Sequence, residues 1–113
     1  MIVTHASESV PAMSVDEQRH CADLGALIEH SFLATTPCCP GPAVSHEEIA
    51  TQIRAVGVGR CILSSDFGQV ANGEPVPALR RALGELARTG FSSSDLCRMI
   101  RDTPLDLLRQ SPS

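Results

Sequence analysis

Three apolar runs in this sequence each finish on a side chain suited to chemistry. Ile2-Val3-Thr4 leads to His5, Ala26-Leu27-Ile28 leads to Glu29-His30, and Cys61-Ile62-Leu63-Ser64-Ser65 leads to Asp66, followed by Phe67-Gly68-Gln69. Imidazole and carboxylate together suit zinc, manganese or iron, because they bind a divalent ion and leave coordination positions open. Water on such an ion can fall to a pKa of about 7, and a neighbouring carboxylate can then take its proton during attack on a carbonyl or phosphorus centre. Asp66 fits both tasks, metal ligand and general base, with His5 as a second metal ligand. The same spacing also admits a plainer role, in which Asp66 caps the turn after it and His5 only ends a strand.

For these side chains to meet, the three runs must be strands that point the same way. Residues 1–5 read as the first strand. Ser14-Val15-Asp16-Glu17 is a capping box that opens a helix to about Leu24, with Gly25 as its stop. Residues 25–30 form the second strand, and a loop with Pro37, Pro40 and Pro42 excludes regular structure after it. Ser45-His46-Glu47-Glu48 opens a second helix with Ile49, Ile53 and Val56 on one face and Gly57 at its end. Residues 60–65 follow at once as the third strand. Strand and helix alternate with short helix-to-strand links, which is the pattern of βαβ units and a parallel sheet. The C-terminal ends of parallel strands lie on one side of the sheet, and in a TIM barrel they converge on the active face.

Side-chain alternation refines the candidates. Val3 shares a strand face with His5, and Ile62 and Ser64 share one with Asp66, whereas Glu29 and His30 point oppositely, so one of that pair alone enters the site. His30 is the expected substrate contact, with Glu29 its competitor, and Gln69 on the following loop is a second, with Asn72 nearby. Beyond the loop, residues 77–89 read as a helix with Leu79, Leu83 and Leu86 at helical spacing. Residues 92–100 and 103–108 read as two short capped helices, the second with Pro104 in its first turn. The expected organisation is one domain over residues 1–109 with a frayed tail at 110–113.

The strand end Cys61-Ile62-Leu63-Ser64-Ser65-Asp66-Phe67-Gly68-Gln69, together with Leu79-Arg80-Arg81, Gly90-Phe91-Ser92 and Met99-Ile100-Arg101-Asp102-Thr103-Pro104-Leu105-Asp106-Leu107-Leu108, resembles the C-terminal part of the amidohydrolase superfamily. Those proteins are metal-dependent TIM-barrel hydrolases whose last strand ends in a Ser-Asp or Thr-Asp ligand. The resemblance implies that residues 2–5, 25–30 and 60–66 correspond to the sixth, seventh and eighth barrel strands. It carries over His5 as a metal ligand and Asp66 as ligand and general base. It implies a divalent metal, zinc or manganese, and hydrolysis of an amide, ester or related C–N or P–O bond in a small-molecule substrate. The family's His-x-His pair on the first strand has no counterpart here, and Thr103 stands where Asn is common. A complete barrel takes about 250 residues, so the expected fold is a partial TIM barrel with three parallel strands and C-terminal helices. The expectation is a hydrolase fragment with little activity alone. Its open sheet would need self-association or a second chain, and the alternative is a non-catalytic assembly module.

Composition narrows the partners. With 42% hydrophobic residues in 113, the chain can bury one core, but three Phe without Trp or Tyr offer no platform for stacking bases. A net charge of −4 with no basic run argues against a nucleic-acid partner. No apolar run approaches the roughly 20 residues of a membrane span. Five cysteines, an odd number, and no secretory pattern at the start predict reduced thiols and a cytoplasmic setting. His20 and His46 fall on the two helices, where solvation or packing is their expected role.

Overall fold

A computed structural model describes residues 1–9, 12–37, 41–67 and 73–110. Strand β1 (Ile2–Val3) is followed by helix α1 (Val15–Asp23), strand β2 (Leu27–Ser31), helix α2 (His46–Val56) and strand β3 (Cys61–Ser64). Helices α3 (Pro75–Arg88), α4 (Ser93–Cys97) and α5 (Thr103–Arg109) complete the chain, and short 3-10 turns occupy Phe32–Thr35 and Val58–Arg60. The fold is α/β, with a parallel sheet in the order β1-β2-β3. That order never reverses, so these strands make no switch-point crevice of the kind that holds ligands in doubly wound folds.

Both expected caps form. Ser14 Oγ accepts from the Glu17 N–H at 3.1 Å and Ser45 Oγ from the Glu48 N–H at 3.1 Å, each satisfying one of the orphan donors of a helix start. Gly57 closes α2 at φ 110°, a conformation that a Cβ makes costly, and its N–H returns to the Ile53 carbonyl.

Helices α1 and α2 pack on each other, so both crossovers lie over the same sheet face. Strand register brings Val3, Ile28 and Cys61 side by side on that face, with His30 and Leu63 on the rung above. Ile49, Ala50 and Ile53 of α2 are fully buried against them, and burial of each Ile stabilises the fold by about 1.5–3 kcal/mol. Ala78, Ala82 and Leu86 recur every fourth residue along α3 and bury its inner stripe. Met99 and Phe91 close the core from the C-terminal segment. The Arg54 guanidinium stacks 4.5 Å over the Phe91 ring and donates to the Thr89 carbonyl, joining α2 to the turn after α3.

Several boundaries differ from the sequence expectation. β1 stops at Val3 and β3 at Ser64, because His5 and Asp66 have φ of 57° and 56°, left-handed values that end an extended run. Strand alternation therefore does not aim either side chain. α3 begins at Pro75, two residues early, since prolines in a first helical turn sacrifice no intrahelical bond. The two separate C-terminal helices are instead joined by a π-helical turn, Arg98–Asp102, in which the Thr103 N–H bonds the Arg98 carbonyl five residues back. Pro104 has no N–H, and its ring would meet the Ile100 carbonyl in a regular α-helix; the wider turn accommodates it. Asp102 and Thr103 both keep helical dihedrals, so neither acts as a cap. Residues 111–113 of the expected tail lie outside the described residues. Among the described residues, no helix is long and apolar enough to cross a membrane.

Candidate functional site

Past β1 the chain stays fastened to the sheet, with the Ala6 N–H donating to the Glu29 carbonyl at 3.2 Å. A turn then closes as the Glu8 N–H reaches the His5 carbonyl at 3.3 Å. The turn sorts its side chains by depth: Ala6 and Ser7 are buried, Glu8 is largely covered, and His5 stands outside. On the other side of β2, the Leu33 N–H donates to the Ser65 carbonyl at 3.1 Å, and Ser65 Oγ accepts from the Phe67 N–H at 3.3 Å. These contacts hold Asp66 over the end of β3.

The two turns bring three possible ligand atoms together. His5 Nδ1 lies 2.7 Å from Glu8 Oε1 and 3.7 Å from Asp66 Oδ2, and the set falls within 4.8 Å. One imidazole and two carboxylates form a donor set suited to zinc, manganese or iron. Ligand atoms at about 2.1 Å from an ion sit about 3.0–3.4 Å from one another, and the 2.7 and 3.7 Å spacings bracket that value. Side-chain exposure is 43% for His5, 11% for Glu8 and 45% for Asp66, so the cluster opens to solvent from one side. The left-handed backbone at both His5 and Asp66 costs about 1–2 kcal/mol per residue. Strain of that kind is concentrated at functional sites.

Beneath the cluster runs a buried polar chain. Ser7 Oγ meets His30 Nδ1, Ser7 Oγ donates to Gln52 Oε1 at 3.1 Å, and Gln18 Nε2 donates to the same oxygen at 2.9 Å. His30 Nε2 lies 3.7 Å from Cys61 Sγ. These contacts assign the hydrogens. With the Ser7 hydroxyl spent on Gln52, His30 must donate from Nδ1, and its bare Nε2 accepts from the Cys61 thiol. Burial holds the imidazole neutral, lowering its pKa to about 4, and raises the Cys61 thiol to about 12. Cys61 is therefore an inert thiol at neutral pH.

The structure brings His5 and Asp66 together and adds Glu8, which the sequence reading missed. The available signal was His-x-x-Glu beside a strand end, since a four-residue turn juxtaposes its first and fourth positions. His30 is not brought to the cluster: parity turns it to the helix-covered face, where it is fully buried, and leaves Glu29 half-buried on the other face. No family model matches the chain, and no curated protein does. The amidohydrolase likeness thus rests on residues 61–69, 79–81, 90–92 and 99–108 alone. Gln69 and Asn72 lie outside the described residues, as do Cys38 and Cys39. Cys21, Cys61 and Cys97 are free thiols. His20 is exposed on α1, and the half-buried His46 sets its ring 6.1 Å from that of Phe32.

Proposed function

We propose that His5, Glu8 and Asp66 form a divalent-metal centre of a hydrolase that acts on a C–N, ester or P–O bond of a small-molecule substrate. The observation that carries this reading is the convergence of one imidazole and two carboxylates within 4.8 Å at the C-terminal ends of parallel strands. That is the end at which barrel enzymes build their sites. The sequential parallel strands are also the arrangement a partial TIM barrel would have. When bound, the ion would act as a Lewis acid and lower the pKa of water to about 7.

Each residue has a task in this reading. His5 supplies a neutral nitrogen donor, and Glu8, the least exposed of the three, supplies a negative charge that favours a cation. Asp66 faces solvent enough to accept a proton from an attacking water while remaining in reach of the ion. Because His5 and Asp66 are nearly half-exposed, water screens the site, and turnover by this chain alone is expected to be low. Isothermal titration with zinc and manganese tests the reading. Saturable binding near one ion per chain, weakened in His5→Ala and Asp66→Asn, is expected; equal affinity in the variants refutes the centre.

An assembly role has its own support. Both outer strands of the sheet are edges, and Met1, Ile2 and Leu108 expose apolar surface. Concentration-dependent association without metal binding would favour that alternative.

A further inference from the structure

At the opposite end of the sheet, where the strands begin, a cavity of about 500 Å³ opens between Leu27, Gly59 and Arg60 on one side and the Arg98–Asp102 turn with α5 on the other. The chain has nine arginines and no lysine, and among the described residues Arg54, Arg88, Arg101 and Arg109 have side-chain partners, whereas Arg19, Arg80 and Arg81 have none and lie away from this cavity. Arg54 is held by Thr89 and Phe91, and Arg88 pairs with Glu85 at 2.9 Å. The two acids on the cavity wall are already engaged: Asp102 with Arg101 at 2.8 Å and Asp106 with Arg109 at 3.9 Å. Arg60 and Arg98 have no hydrogen-bond or ion-pair partner among the described residues, and both line this cavity. The cavity therefore holds two guanidinium groups that pair with neither Asp102 nor Asp106 on the same wall.

Arg98 is placed there by two features. The π-helical turn puts Arg98, Asp102 and Thr103 on the same cavity wall. Gly59 gives the guanidinium its seat, since a Cβ at that position would lie 2.7 Å from Arg98 Nη2 and 3.1 Å from its Cζ. Guanidinium forks bind carboxylate and phosphate oxygens through paired N–H donors. Ser94 and Thr103 add hydroxyl groups to the wall. We infer that this cavity is a binding site for a small oxyanion, a phosphate or carboxylate compound, clamped by Arg60 and Arg98. It is independent of the metal centre, which lies at the other ends of the strands.

The test is an amide NMR titration of the full chain in low-salt, phosphate-free buffer, with inorganic phosphate in one arm and succinate in the other. Saturable shifts centred on Gly59, Arg60 and the Arg98–Asp102 turn are expected in at least one arm, and the arm that binds more tightly names the anionic group. Arg98→Ala should weaken binding by about tenfold or more. Gly59→Ala is the second variant, because its methyl displaces only the tip of a flexible side chain and so spares the fold, yet it should also weaken binding. Shifts that never saturate, that appear equally at Arg19, Arg80 and Arg88, or that persist unchanged in Gly59→Ala would overturn the proposal.

Discussion

Acidification should cost this protein stability through one residue, His30. The imidazole is fully buried, and burial lowers its pKa from 6.5 to about 4. In the unfolded chain it takes a proton as pH falls below about 6.5, whereas in the folded chain it stays neutral until about 4. Between those values the unfolded state binds more protons, so stability is complete above about pH 6.5 and declines as pH falls. The decline reaches a slope of about 1.4 kcal/mol per pH unit and totals about 3 kcal/mol by pH 4, a large part of a small domain's stability. Urea unfolding followed by far-UV circular dichroism measures it, because a chain without Trp or Tyr gives little intrinsic fluorescence. His30→Asn is the control, since its amide can still donate to Ser7 but does not titrate. Subtracting the two curves removes the carboxylates they share. Identical pH slopes in the two proteins, or an NMR titration of the His30 ring near 6.5, would refute the argument.

Other outcomes follow from single residues. Glu8→Gln should reduce zinc affinity by about tenfold or more in the same titration, because it removes a negative ligand and keeps the shape. Asp66→Gly should abolish metal binding, and by relieving the left-handed strain it should leave urea stability unchanged or higher by up to about 1 kcal/mol. A clear loss of stability would show that Asp66 is held for the fold instead. Ser45→Ala should lower stability by about 1 kcal/mol through loss of the α2 cap, read as a shift in the urea midpoint at constant slope.

The order of strands and helices was legible because capping boxes, terminal glycines and apolar runs are local signals. Ser14 and Ser45 cap in the structure as their spacing implied, and Gly57 closes α2. The strand ends were less legible, since a left-handed φ at His5 or Asp66 leaves no mark in residue type beyond the tolerance of His and Asp for it. Glu8 escaped notice because its role depends on a turn geometry that only the fold sets. His30 was correctly read as one member of an alternating pair, but parity alone does not say which face the helices cover. The π-helical turn was hidden because Pro104 is an equally good sign of a helix start.

The turn between His5 and Glu8 also ties the candidate centre to the cooperativity of the fold. β1 is only two residues long and forms one edge of the sheet, so it is the element best placed to open by itself. An ion held by His5, Glu8 and Asp66 would cross-link the tail of β1 to the tail of β3 over the top of β2. Opening β1 would then require releasing the ion, and the free energy of binding would be added to the local protection of that edge. Metal content and exposure of the sheet edge would thus become two readings of one equilibrium.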